Sequence, residues 1–249
     1  LNFKKKIDKD AAAKSLVLDE KYSFGSCLKR LWCLKINIKG YMEIKKNFIQ
    51  KIKEIKFLVD KKYFFDLQLK KKIKKLFPSR IINSIYFDTV SLNFFHDSEE
   101  GISPRKKVRI RYYNTDFEDL NLEIKHTNSY WRTKYVKKFN IKDFSNSLIA
   151  KETQDITLMP KTKISYLRNY YSCEIGRITL DRAVNCERIY SIKNCFKTGN
   201  TTKIKILDDR KIILELKTSN KYSKYDATKF FKHRDTRMSK YCEAIKKLF

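Results

Sequence analysis

At 249 residues the chain is long enough for one sizeable β-rich domain, and 42% hydrophobic with 14% aromatic residues excludes a disordered chain. Only five Gly and three Pro exclude a collagen-like or linker-type composition. Fifty-seven Lys and Arg against 28 Asp and Glu give a net charge of +29, which points to a polyanionic partner: nucleic acid, an acidic membrane surface or phosphate chains.

Part of this excess accompanies a composition rich in Lys, Ile, Asn, Tyr and Phe, and such lysines sit on ordinary solvated faces. Regularly spaced arginines therefore weigh more than lysine totals. The six cysteines, at 27, 33, 173, 186, 195 and 242, form no C-x-x-C pair and are accompanied by three His. That argues against a zinc site or a disulfide scaffold and for reduced thiols in a cytoplasmic protein. No apolar run reaches transmembrane length, and no signal peptide is evident.

In chain order, the first residue is Leu1 and a candidate start, Met42, follows Tyr41. Residues 1–41 are expected to be an extension that need not be native, and 42–249 the working domain. Ile52 to Val59 predicts a strand. Asp66 to Phe77 has near-helical apolar spacing and ends before Pro78, which predicts a helix. Ile81 to Tyr86 predicts a strand, Asp88 to Phe95 a turn and short helix, and Asp97 to Pro104 a loop. Strands follow at Lys106–Tyr113, Leu120–His126 and Thr133–Phe139. Residues 140–160 read as helical. Strands resume at Tyr166–Tyr171, Gly176–Leu180, Lys203–Ile206 and Ile212–Lys217, and Arg237 to Phe249 is an amphipathic helix. The expected fold is α+β, a mainly antiparallel β domain with helices at its edges.

Four strands share a charged face. It carries Lys107, Arg109 and Arg111 in one, and Asn121, Glu123 and Lys125 in the next. The other two present Arg177, Thr179 and Asp181, and Glu215 and Lys217. Singly, each is an ordinary amphipathic strand with a solvated polar side. Together they also fit a closed barrel with charged residues inside and apolar residues outside under helices. A lumen of Arg and Lys with a few carboxylates suits a phosphate chain and a divalent cation, because carboxylate oxygens are the usual ligands of Mg²⁺ or Mn²⁺.

Several ordered motifs carry a resemblance. They are Ser84-Ile-Tyr-Phe-Asp-Thr89, the run from Gly101 through Lys107-Val-Arg-Ile-Arg-Tyr-Tyr113, and Leu122-Glu-Ile-Lys125. Then come Tyr166-x-Arg168, Arg177-Ile-Thr-Leu-Asp-Arg182, Ile213-Leu-Glu-Leu-Lys217 and Ser239-Lys-Tyr241. From about Lys51 to the C-terminus the chain resembles the VTC domain of the triphosphate tunnel metalloenzyme superfamily.

The resemblance implies a closed tunnel of eight antiparallel strands, with helices packed outside and a C-terminal helix. It also implies polyphosphate synthesis from ATP with Mn²⁺ or Mg²⁺. Triphosphate or polyphosphate hydrolysis is the alternative, and non-catalytic binding of polyphosphate or nucleic acid the alternative of another class. The expected ligands are ATP, triphosphate or polyphosphate; the oligomeric state is not legible.

Carried over residue by residue, Lys56 and Lys240 take catalytic positions. Arg109, Arg111, Lys125, Lys137, Tyr166, Arg168 and Lys217 bind phosphate. Alternation leaves open whether Lys137 or Lys138 points inward. Glu215 matches the metal-binding glutamate, with Glu54 and Glu123 as further metal candidates or internal ion-pair partners. The wider superfamily often opens with Glu-x-Glu-x-Lys, but this chain has Ile52 at the first position, which favours the VTC branch. The loop Ser98–Pro104 lacks an evident match to a further family arginine.

Overall fold

Alternating apolar and polar residues govern most of the chain, and they become strands. The computed structural model describes residues 53–70, 73–128, 132–196, 202–218 and 221–249. These residues form nine strands and five helices in an antiparallel β-rich α+β fold. The N-terminal elements are β1 (Lys53–Asp60), α1 (Lys61–Lys70), β2 (Lys74–Asp88), α2 (Asn93–Glu100), β3 (Arg105–Tyr113), β4 (Leu120–Thr127) and β5 (Arg132–Phe139). They are followed by α3 (Asn146–Thr153), β6 (Met159–Cys173), β7 (Gly176–Arg188), β8 (Ile204–Lys205), β9 (Lys211–Thr218), α4 (Lys224–Phe231) and α5 (Lys240–Leu248). The sheet runs β1-β9-β7-β6-β2-β3-β4-β5, with β8 added to β7.

The expected closed barrel is not formed: among the described residues β1 and β5 remain unpaired edges. Two features explain this. Strand β5 carries Arg132, Lys134, Lys137 and Lys138, and charge on an edge strand opposes further pairing. At β1, the main-chain N–H of Thr236 donates to Lys56 O at 2.8 Å, so the segment leading to α5 meets this strand.

The helix expected over 66–77 lies earlier, at Lys61–Lys70, where Phe64 and Leu67 are buried against β1 and β9. From Lys74 the chain is strand, held by pairing with β6 (Lys74 opposite Ser172), and tertiary pairing overrides the local helical spacing. Pro78 falls where the β2–β6 register shifts between Phe77 and Arg80, so its missing N–H costs no ladder bond there. The helix of residues 140–160 shrinks to a short turn and α3, and β6 begins at Met159. Helix α4 was not anticipated; Ser223 and Asp226 cap it reciprocally, and Ala227, Phe230 and Phe231 are buried. The extension 1–41, Ile52, Lys71, Cys27 and Cys33 lie outside the described residues, whereas Cys173, Cys186, Cys195 and Cys242 are free thiols.

The apolar faces pack into three groups. One joins β1, β7 and β9 to α1 and α4 through Phe57, Phe64, Ile178, Leu214 and Phe231. A second lies outside β2, β3 and β4, where Val108, Ile110, Leu122 and Ile149 meet. The third differs: Ile82, Tyr86, Ile164, Tyr166 and Ile213 pack against Tyr241 and Ile245 of α5. These residues share a sheet face with the charged residues, so α5 covers part of that face.

Candidate phosphate-binding site

The pairing register places the charged residues on one face. Opposite partners in a ladder share a side of the sheet. Lys56 faces Glu215 and Glu54 faces Lys217 across β1 and β9. Thr179 faces Glu215, and Arg168 faces Asp181. Tyr86 faces Arg109 and Ser84 faces Arg111 across β2 and β3. Arg109 in turn faces Glu123, and Lys107 faces Lys125. Contacts that skip strands show that this face curls: Arg111 of β3 reaches toward the Tyr166 hydroxyl of β6 at 3.5 Å, and Arg168 of β6 bonds Glu215 of β9 at 3.0 Å. Gly176 (φ +150°) lets β7 pass close to β9, where a side-chain carbon would run into the Lys217 carbonyl oxygen.

Two ion clusters organise the face. In the first, Glu123 is almost fully buried on β4. It accepts from Arg109 Nε at 2.7 Å and Nη2 at 2.5 Å and from Lys134 Nζ at 2.8 Å, with Arg111 Nη1 at 3.6 Å. Burial alone would raise its carboxyl, but Arg109, Arg111 and Lys134 hold it far below the usual carboxylate range. Arg109 Nη1 also donates to the Tyr86 hydroxyl at 2.8 Å. Burial would raise that phenol too, yet Arg109 and Arg111 outweigh it and bring Tyr86 down to about 8.

In the second cluster, Asp181 is fully buried and accepts from Arg168 Nε and Nη2 at 2.6 Å each, with Lys240 Nζ at 2.5 Å. Glu215 takes Arg168 at 3.0 Å and Lys240 at 3.1 Å, with Lys56 at 3.7 Å. Burial disfavours its charge, but Lys240, Arg168 and Lys56 keep it ionised well below the ordinary range. Lys240 is also buried; Asp181 and Glu215 overcome that and raise it above an ordinary lysine. Its ammonium lies 4.9 Å from the Tyr166 ring centre, and Arg168 lies 5.3 Å from it.

Outside these clusters, cations outnumber anions. Among the described residues Lys125 and Lys217 have no ion pair. Burial and Arg109 push Lys125 down to about 8, and burial likewise lowers Lys217. Lys107 is lowered by burial and, among the described residues, donates to Ser239 Oγ, at 2.9 Å. The Nε of Arg111 is buried and has no hydrogen-bond partner among the described residues. An unpaired buried donor is costly, and an acceptor oxygen from a ligand would offset that cost.

Of the expected site residues, Lys56, Arg109, Arg111, Lys125, Tyr166, Arg168, Glu215, Lys217 and Lys240 converge here, with Glu54 and Glu123. Lys137 does not. It stands opposite Leu122 on the apolar side of β4 and β5, and its ammonium bonds Glu152 of α3 at 2.7 Å. Lys138 has the inward parity but reaches Asp119, at 3.3 Å, whereas Lys134, opposite Lys125, is the β5 lysine that bonds Glu123, at 2.8 Å. Asp181, Lys107, Lys134 and Tyr86 received no site role from the sequence. Asp181 and Lys107 stood on the charged faces already read, whereas Lys134 needed the register of β5 against β4.

No group of three or more His, Cys, Asp or Glu among the described residues forms a metal cage. The donor set fits a more modest mode. Glu54 and Glu215 flank Lys56, at 3.5 and 3.7 Å, and Glu54 has no other ion pair among the described residues. One or two carboxylates completed by phosphate oxygens is a usual arrangement for Mg²⁺.

Comparison with known proteins gives one family model, the VTC domain, matching residues 33–156 and 142–249. No curated protein matches the sequence. Among solved structures, a candidate adenylate cyclase from Vibrio parahaemolyticus aligns at 12% identity over 79% of this chain and 98% of its own, with a TM-score of 0.48. A candidate adenylate cyclase from Bacillus halodurans aligns at 13% identity over 75% and 92%, with a TM-score of 0.45. The PH1012 protein of Pyrococcus horikoshii aligns at 14% over 77% and 98%, also at 0.45. Among the described residues no helix is long and apolar enough to cross a membrane.

Proposed function

The chain belongs to the VTC domain family, within the triphosphate tunnel superfamily, and we propose that its cationic face binds a phosphate chain and transfers a phosphoryl group, making polyphosphate from ATP. The observation that carries this reading is the surplus of largely buried cations over carboxylates. Lys107, Lys125 and Lys217 lie on one curled face without an ion pair among the described residues, and Arg111 beside them has only Glu123, at 3.6 Å, with its Nε unbonded.

The division of labour follows from the ion pairs. Arg109, Arg168 and Lys240 are already fixed by Glu123, Asp181 and Glu215, so they meet the substrate without reorganising. Arg111 presents a guanidinium fork that matches phosphate geometry, and Lys125 and Lys217 add point charges along the chain. In the reaction the bond between the β,γ-bridging oxygen and the γ-phosphorus of ATP breaks. A terminal oxygen of the growing chain forms the new P–O bond, and ADP leaves. Such a step needs positioning and neutralisation of charge more than covalent help. Lys56 and Lys240 stand beside Glu215, where they would neutralise charge on the transferring group. A divalent cation, Mn²⁺ or Mg²⁺, would be held by Glu215 and Glu54 with phosphate oxygens and would neutralise charge on the leaving oxygen.

Incubation of purified protein with ATP and Mn²⁺ tests the assignment. Polyphosphate ladders on a gel are expected. Free phosphate without polymer would reassign the site to hydrolysis, and tight tripolyphosphate binding without turnover would reassign it to binding.

A further inference from the structure

The motif Ser84-Ile-Tyr-Phe-Asp-Thr89 contains a carboxylate that the phosphate reading leaves unused. Asp88, at the end of β2, is fully buried. Its Oδ1 accepts from the backbone N–H of Thr89 at 2.7 Å and of Phe94 at 2.9 Å. Its Oδ2 accepts from the N–H of Phe95 at 3.0 Å and from the hydroxyl of Tyr241. One carboxylate thus ties the start of α2 to the first turn of α5. Three backbone donors and a phenol satisfy both oxygens of this buried carboxylate.

Tyr241 is itself buried, and its ring stacks on Tyr86 at 4.9 Å with a 20° interplanar angle. Burial and the Asp88 carboxylate raise its phenol, which keeps the proton on the donor side of the bond. The preceding residue is Lys240, whose ammonium enters between Asp181 and Glu215. A buried ion pair is favourable only when its geometry is well held. Apolar packing of Tyr241, Cys242 and Ile245 holds the helix on the sheet. Polar contacts on this turn include the Ser239 cap on Cys242, at 3.4 Å, and those of Lys107 with Ser239 and of Lys56 with the Met238 carbonyl; each of these three rests on a partly exposed group, whereas the Asp88–Tyr241 bond is buried.

We propose that Asp88 is a positioning residue: through the Tyr241 hydroxyl it fixes the first turn of α5 so that Lys240 projects into the phosphate site between Asp181 and Glu215. The role in phosphate affinity rests on the function proposed above; the placement of Lys240 does not.

The test is a cycle of Tyr241→Phe and Lys240→Ala, with Asp88→Asn as a second probe. Tyr241→Phe removes only the hydroxyl and keeps the stacked ring, so the fold is least disturbed. Tripolyphosphate affinity should fall about tenfold in Tyr241→Phe, and by less than about twofold when Lys240 is already Ala. Equal losses in both backgrounds would mean a general structural role and overturn the proposal. In parallel, a buried, ion-paired Lys240 ammonium should give a slowly exchanging resonance in protein with nitrogen-labelled lysine, assigned by its loss in Lys240→Ala. That resonance should disappear or exchange rapidly in Tyr241→Phe; if it persists unchanged, the positioning role is refuted. Should the unaltered protein fail to bind tripolyphosphate, the phosphate reading falls, and the ammonium resonance decides the placement of Lys240 on its own.

Discussion

Replacing Glu123 with Gln should destabilise the protein in a way that a phosphate ligand reverses. Glu123 is the sole carboxylate contacting Arg109, Arg111 and Lys134 among the described residues, and it is almost fully buried. Gln keeps the shape and one acceptor but removes the charge, leaving two buried guanidiniums uncompensated. Breaking a buried pair costs about 3–5 kcal/mol, and the retained acceptor places this change near about 3. For a domain of this size that is a fall in Tm of roughly 6–12 °C. Tripolyphosphate would then supply the missing negative charge. A ligand at 100 times its Kd stabilises by about 2.7 kcal/mol, so thermal scans at matched concentrations expose differences in affinity. The ligand-induced rise in Tm should be larger for Glu123→Gln than for the unaltered protein. An unchanged Tm in the variant, or an equal ligand shift in both, would refute the idea that Glu123 and a bound phosphate compete for the same cations.

The acid side gives a related test. The folded carboxyls of Glu123 and Glu215 lie below their ordinary value of 4.5, so their stabilisation is complete above that pH and is lost as pH falls below it; urea titrations below pH 4.5 should show a shallower loss in Glu123→Gln. On the alkaline side Lys125, at about 8, loses its charge early, so tripolyphosphate affinity measured by calorimetry should fall as pH rises through 8, and Lys125→Arg should flatten the profile. Arg111→Ala should weaken tripolyphosphate binding at least roughly tenfold, about 1.4 kcal/mol. Neutralising both Lys74 and Lys75, on the exposed start of β2, should change it little, and a dependence on net charge alone would favour nonspecific polyanion binding. Glu215→Gln should abolish metal-dependent turnover and also lower Tm, because Lys240 and Arg168 lose a partner; retained turnover would remove Glu215 from the metal site.

The sequence by itself determined the strand faces, because side-chain alternation is a local property of extended backbone. Lys107, Arg109 and Arg111 could be placed on one side of β3 before any partner strand was known, and the ordered motifs carried the family. The capping box at Ser223 and Asp226 is a local signal too, although α4 was not anticipated from it. Tertiary structure decided what alternation leaves open. Which of the β5 lysines turn inward depends on the register against β4, and a slip of one residue would turn Lys137 in and Lys134 and Lys138 out. The stretch from Lys74 to Phe77 has helical spacing, but pairing with β6 makes it strand. Closure of the sheet was also beyond local reading. It depends on whether two distant edges meet, and here the segment at Thr236 donates to β1 while charge lines β5. The same holds for Asp88, whose neighbours in sequence give no sign that its carboxylate receives Tyr241, 153 residues away.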